Sequence, residues 1–333
     1  MPSPKLSDEA FISEFQLIGA AGIAQKYKIL ENGVYHRRRR IEARLGHPIV
    51  SPNNQPKKEY PHRAQLHIQN GVCLVGSDFH IWPGGESVAL RAFKKFARDL
   101  KPAAVILNGD VLDFPQISRH PPIGWESTPT PKDEIEAAQD HLNDIVQAVP
   151  RGCRKAWLLG NHDARFETRL ATVASEYKGL MGIHLSDFFP IWEKGWSAWI
   201  NDDVVVKHRW KGGVHATHNN TVGAGKTMIT GHLHSQKVTP YTDYNGTRYG
   251  VDTGCVADTD HKAFVDYTED APLNWRSGFV VLTFKDGKLL TPELVTKWDD
   301  STVQFRGQLH GVGHANKTKE ASKTKAKALH GRA

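Results

Sequence analysis

The chain has 333 residues, 39% of them hydrophobic and 24% charged, with a formal net charge of +7. That is enough for a full core in one large domain beside a smaller one, and no run of about 18 apolar residues is present to span a membrane. Cys73, Cys153 and Cys255 are odd in number and far apart, which argues against a disulfide framework or a cysteine-based zinc site. The N-terminus lacks the apolar core of a signal peptide, so a cytoplasmic location is expected. Charge is unevenly placed: residues 1–70 carry about +5 and residues 305–333 about +6, leaving the middle near −4. The ends suit a polyanion and the middle suits cations.

Ser7 is placed to cap a helix running to about Ile18, with Asp8 and Glu9 in its first turn. Gly19-Ala20-Ala21 leads into a short helix to Tyr27, and a third helix is expected from Asn32 to Leu45, closed by Gly46. Val34, Ile41 and Leu45 share one face of it, while Tyr35 to Arg40 offer a cationic one. Short helix, tight turn, longer basic helix: the pattern resembles the helix-turn-helix of bacterial and phage DNA-binding proteins. The resemblance implies a nucleic-acid-binding domain over residues 1–50. Asn32, Tyr35, His36 and Arg39 would meet bases or phosphates, and Arg37, Arg38 and Arg40 would hold phosphates. A helical appendage with a solvated arginine-rich face is the plainer alternative. Residues 51–66, with Pro52, Pro56 and Pro61 and no periodicity, read as a linker.

From residue 67 the pattern changes to apolar runs ending in polar tips. Gly71–Val75 is followed by Asp78-Phe79-His80, whose spacing puts both polar side chains on one side of an extended chain. An amphipathic helix opened by Gly84-Gly85 runs to about Leu100. The next strand, Ala103–Leu107, ends in Asn108-Gly109-Asp110-Val111-Leu112-Asp113. A helix over Lys132–Val149 leads to the strand before Gly160-Asn161-His162-Asp163. Strand, polar tip and helix in repetition predict parallel βαβ units with their tips at one sheet edge. In the second half, Asp203–Lys207 delivers His208, and Met228–Gly231 delivers His232-Leu233-His234. Strand-like runs follow at Thr247–Asp252, Gly278–Phe284 and Leu289–Thr296, the last two joined by the hairpin signal Asp286-Gly287.

The ordered set Asp78-x-His80, Gly109-Asp110-x-x-Asp113, Gly160-Asn161-His162-Asp163, His208 and Gly231-His232-x-His234 resembles the calcineurin-like metallophosphoesterase superfamily over residues 70–300. The resemblance implies an α/β sandwich, two mixed sheets flanked by helices, as a catalytic domain over residues 67–300. It implies two divalent ions bridged by Asp110. Asp78, His80 and His234 would complete one shell, and Asn161, His208 and His232 the other. Oxygen and imidazole donors without cysteine suit Mn²⁺ first, with Fe, Zn²⁺ or Ni²⁺ as alternatives. A hydroxide between the ions would attack phosphorus. His162 would serve as general acid toward the leaving group, with Asp113 orienting its ring.

Some neighbours compete. His215 and His218 rival His208 as ligands, though the β-branched strand leads straight into His208. Together with Arg165, they are candidates for lining a substrate pocket. Gly225-Lys226-Thr227 lacks the first glycine of a phosphate-binding loop, because Asn220 stands there. Residues 301–333, rich in Lys, Thr and Ala, read as a disordered basic tail. The combined expectation is a phosphodiesterase acting on DNA or RNA, with no membrane partner. The architecture would suit a phage or mobile-element protein. A phosphomonoesterase and a DNA-binding regulator with a non-catalytic phosphoesterase domain are the competing expectations. No motif speaks to oligomeric state.

Overall fold

The computed structural model describes residues 6–46, 49, 63–119, 127–260 and 273–313. The chain divides into two compact units, Met1–Tyr60 and Pro61–Ala333.

The first unit is a helical hairpin of α1 (Asp8–Tyr27) and α2 (Glu31–Leu45). Ser7 Oγ accepts from Ala10 N–H and starts α1. Gly19, at φ 68° and ψ −174°, breaks its helical backbone where the sequence predicts a separate short helix. Gly46, with φ 72°, ends α2. Phe11, Phe15, Ile23, Val34, Ile41 and Ile49 form the core, whereas Leu45, expected on the same seam, is 44% exposed at the helix end.

The arginine run does not form a single solvated face. Arg37 is buried, donates to Leu6 O and the Asp8 carboxylate, and lies 4.8 Å from the centre of the Phe11 ring. Arg38 pairs with Glu42 at 3.0 Å and covers Phe15. Both therefore serve the hairpin's own packing and leave the expected set of phosphate contacts. Asn32, Tyr35, His36, Arg39 and Arg40 are exposed.

The second unit is a two-sheet sandwich. Its strands are β1 (Ala64–Leu66), β2 (Gly71–Gly76), β3 (Ala104–Asn108), β4 (Arg154–Leu158), β5 (Glu193–Gly195), β6 (Ala198–Ile200), β7 (Val204–Val206), β8 (Thr227–Thr230), β9 (Lys237–Asp243), β10 (Gly246–Asp252), β11 (Gly278–Lys285), β12 (Lys288–Leu289), β13 (Glu293–Lys297), β14 (Thr302–Phe305) and β15 (Gln308–Gly311). Between them lie α3 (Val88–Asp99), α4 (Pro131–Ala148), α5 (Asp163–Val173), α6 (Leu185–Phe188) and α7 (Ala216–Ala224). One sheet runs β15-β14-β13-β11-β2-β3-β4-β5, with β12 on β11; the other runs β1-β6-β7-β8-β10-β9. β2, β3, β4 and β5 are parallel, as the βαβ pattern requires.

Val75, Ile106, Leu158 and Val280 of the first sheet share a core with Ile200, Val206, Ile229 and Val251 of the second. α3 covers the outer face of the first sheet, with the Phe93 and Phe96 rings edge-on to Phe279. Several segments differ from the sequence reading. Ala64–Leu66, at the end of the expected linker, pairs with β6 because Ala64 and Leu66 both point into the core. Thr302–Phe305 and Gln308–Gly311 make a hairpin at the sheet edge, where Phe305 is buried against Phe96. The expected tail therefore contains ordered strands, and residues 314–333 lie outside the described residues. The expected strand Leu289–Thr296 is interrupted between β12 and β13.

Candidate metal centre

The polar tips emerge from the C-terminal ends of β2, β3, β4, β7 and β8 and converge. Asp78 and Asp110 are buried, and each divides its two oxygens between separate tasks. Asp78 Oδ2 accepts from Ser77 Oγ and from His232 N–H. Its other oxygen, Oδ1, lies 3.2 Å from His234 Nε2 and 4.0 Å from both His80 Nε2 and His208 Nε2. Asp110 Oδ1 accepts from His162 N–H at 2.8 Å, and Asp110 Oδ2 lies 3.0 Å from His208 Nε2 and 3.9 Å from His162 Nε2.

Three compact donor groups result: Asp78, His80 and His234; Asp110, His208 and His232; and His80, Asp113 and His162. The first brings together three residues expected around one cation, and the second brings Asp110 to His208 and His232, two of the three expected around the other. Asn161 Oδ1 is buried with no hydrogen-bond partner among the described residues.

The imidazoles are oriented from behind. His208 Nδ1 donates to Asn108 O at 2.7 Å, which fixes the tautomer that leaves Nε2 available for a cation. His80 Nδ1 lies 3.3 Å from Asp113 Oδ1. His162 Nδ1 lies 2.6 Å from the same oxygen, so one carboxylate serves both rings. That use of Asp113 explains the third group without another cation. Arg165 donates to Asp113 O at 2.8 Å and approaches His162 Nε2 at 3.3 Å.

The backbone is bent to achieve this. Asp78, His80, Asp110, His232 and His234 all have φ between 40° and 72°, a region that costs non-glycine residues roughly 1–2 kcal/mol each. Close approach demands glycine at position 160, where a Cβ would fall 2.0 Å from Asp110 Oδ1.

Electrostatics follow the same geometry. Burial pushes the Asp78 carboxyl up, but His234, His208 and His80 outweigh it and hold the carboxyl well below the ordinary range. Burial also pushes His208 down, but the charges of Asp110 and Asp78 lift it to about 9. Burial lowers His162, and the Asp113 hydrogen bond and Asp110 charge reverse this to a net rise. A proton on His208 Nε2, facing Asp110, thus occupies a position a cation would take, and cation binding would release it.

Sequence reasoning missed the supports. Ser77 and Asn108 hold Asp78 and His208 as just described. Glu134 of α4 is buried and accepts from Asp113 N–H at 2.9 Å and Phe114 N–H at 2.8 Å. Burial pushes its carboxyl up to about 8 against those donors. Nothing in the α4 sequence distinguishes Glu134 from its acidic neighbours, so no local pattern marked it. The expected pocket also changes. A cavity of about 1100 Å³ opens beside Asn161, His208 and His232 and is lined by Arg165, but His215 and His218 do not line it. They are exposed on and beside α7, with the His218 ring edge-on to Tyr241. Gly213, at φ 90°, bends the chain between the cavity-lining Gly212 and α7.

Asp163 anchors the centre. Its Oδ1 accepts from Val111 and Leu112 N–H at 3.0 and 3.1 Å, and its Oδ2 accepts from Trp157 Nε1 and Gly160 N–H, both at 3.0 Å. Asp163→Asn must aim its amide NH₂ at one of these donor pairs. It is expected to destabilise the second unit by about 2–4 kcal/mol in chemical denaturation, from unsatisfied buried donors. A loss below about 0.5 kcal/mol would mean that this carboxylate does not hold the two loops.

Residues 73–236 match the family model for the calcineurin-like phosphoesterase domain. Over that stretch the chain is a calcineurin-like phosphoesterase domain. Gene 54 protein of Mycobacterium phage D29 is 29% identical over 254 residues, 67% of this chain and 92% of that protein. Gene 54 protein of Mycobacterium phage L5 is 28% identical over 250 residues, again 67% and 92%. Among solved structures, Zn²⁺-bound Vps29 of Entamoeba histolytica is 15% identical and spans 73% of this chain and 99% of its own, with a TM-score of 0.38. A metal-dependent phosphoester hydrolase is the activity class this superfamily indicates, and the superfamily's two divalent cations have candidate donor groups here. Among the described residues, no helix is long and apolar enough to cross a membrane.

Proposed function

We propose that this protein is a dinuclear metal-dependent phosphodiesterase acting on nucleic acid. The observation that carries the reading is the convergence of imidazole nitrogens on Asp78 Oδ1 and Asp110 Oδ2, beside an unpartnered Asn161 Oδ1. Asp78, His80 and His234 would hold one cation and Asn161, His208 and His232 the other, with Asp110 shared. The donor set suits Mn²⁺ first, and Fe, Zn²⁺ or Ni²⁺ as well. When bound, the cations supply charge neutralisation at the phosphoryl oxygens and a water acidic enough to ionise near neutral pH.

The chain's own groups do the remainder. Asp113 fixes the His162 ring through Nδ1, leaving Nε2 directed toward Asp110. In that position His162 would give a proton from Nε2 to the departing oxygen. Arg165, beside Nε2, would turn onto a non-bridging phosphoryl oxygen as the ester enters. The two phage relatives support a phage origin.

The test is to supply Mn²⁺-loaded protein with bis-p-nitrophenyl phosphate, p-nitrophenyl phosphate, and labelled DNA and RNA. Cleavage of the diester and of a polynucleotide is expected. Hydrolysis of the monoester alone would overturn the phosphodiesterase reading.

The first unit is proposed to bring the enzyme to duplex DNA through the exposed side of α2. Arg39→Ala/Arg40→Ala is expected to weaken duplex binding at low salt. It should also reduce the slope of log affinity against log salt by about 2, roughly one counterion per lost phosphate contact. An unchanged slope would remove α2 from the interface.

A further inference from the structure

The cavity beside the metal centre has a composition that phosphoester hydrolysis alone does not require. Six cations line it: Arg119, Arg165, Arg169, Lys207, Arg209 and Lys211. No aspartate or glutamate is among the described residues lining it, in a chain that has 36 of them. Arg119, Arg169, Lys207 and Arg209 make no ion pair among the described residues. Two tryptophans complete the walls, Trp196 just after β5 and Trp210 two residues after His208. They are 38% and 47% exposed, although burying an indole is strongly favourable.

The cations on α5 are arranged, not scattered. Arg165, Thr168, Arg169 and Thr172 follow the i, i+3, i+4, i+7 spacing of one helix face, and all four line the cavity. α5 begins at Asp163, two residues from Asn161. The two arginines sit about 6 Å apart along the helix axis, leading away from the metal centre. That is close to the repeat of phosphates along a nucleic-acid backbone. The second wall, from Lys207 to Lys211, adds charge and carries one indole.

We propose that this cleft is a track for single-stranded nucleic acid. Arg165 stays with the scissile phosphate, Arg169 holds the next one along the strand, and Trp196 and Trp210 stack on bases. A base offers its face to an indole only when it is splayed from a duplex, and such stacking tolerates any base. The inference deepens the phosphodiesterase reading and rests on it for the position of the scissile ester, but the track itself is testable by binding.

The full-length Mn²⁺-loaded protein would be titrated against fluorescein-labelled phosphorothioate 12-mers of deoxythymidine and of uridine, and against a 12-base-pair DNA duplex. Trp196→Ala and Trp210→Ala are each expected to weaken single-strand binding about 5- to 100-fold, the scale of one lost base stack. Duplex binding should change less than two-fold, while Trp→Phe at either position should retain most of the single-strand affinity. Arg169→Ala should lower the salt slope by about 0.7 on the single strand. DNA-selective and RNA-selective binding both support the track and identify its strand. Single-strand affinity unchanged in both alanine variants, or an equal loss on duplex and single strand, would overturn it. Hydrolysis of bis-p-nitrophenyl phosphate by the wild-type protein is read separately. If hydrolysis is absent while the tryptophan-dependent binding remains, the phosphodiesterase reading fails and the track stands.

Discussion

Asp110→Ala is expected to lower kcat/KM on bis-p-nitrophenyl phosphate by about four orders of magnitude or more, the scale seen when one member of an interdependent catalytic set is removed. It should also leave less than one equivalent of metal on the purified protein. Asp110 is 1% exposed, at φ 50°, with one oxygen tied to the His162 N–H and the other facing His208 Nε2 at 3.0 Å. His208 Nε2, which faces that oxygen, also lies 4.0 Å from Asp78 Oδ1 of the other donor group, so Asp110 stands next to the junction of the two groups. Asp110→Asn separates charge from shape, since it can keep the N–H contact while losing the negative oxygen. Mn²⁺ should raise the Tm of the wild-type protein, because a ligand that binds only the folded state stabilises it. That rise should disappear in both variants. A variant that retains two metals and near-normal rate would show that Asp110 is not shared.

The parts of this site that could be read from the sequence are those where an apolar run feeds a polar tip. Val204–Val206 before His208 and Ala156–Leu158 before Asn161 each bury a strand and leave the next side chains at the sheet edge. Short elements gave no such signal. β5 and β6 have three residues each, too few to show a period, and half of the residues in β14 and β15 are polar, at the edge of the sheet. The arginine run misled for a geometric reason. Four consecutive helical residues spread over roughly 300° of arc, so one of them had to meet α1, and Arg37 does. The supports Ser77, Asn108 and Glu134 lie outside any spacing rule. They matter through distances between residues up to 100 positions apart. Trp196 and Trp210 are single residues in loops, and only the folded cleft brings them together.

His162→Ala should retain both metals and lose rate in proportion to how badly the leaving group needs a proton. Nε2 of His162 lies 3.9 Å from Asp110 Oδ2, and the side chain is 22% exposed, which would let it meet an entering ester without serving either donor shell. p-Nitrophenolate departs without protonation, and its release should slow less than about ten-fold. A nucleotide alkoxide cannot depart that way, and polynucleotide cleavage should fall by about 10²–10⁴, the usual worth of a general acid. Asp113→Asn should show the same leaving-group dependence in weaker form, because it removes the charge that fixes Nδ1 and raises the ring's pKa. The check is kcat across aryl and alkyl phosphodiesters, together with metal content. Equal losses on both leaving groups would make His162 a group that binds the phosphoryl oxygens. Arg165, 3.3 Å from the same nitrogen, would then be its partner in that task and would not compete with a proton on Nε2.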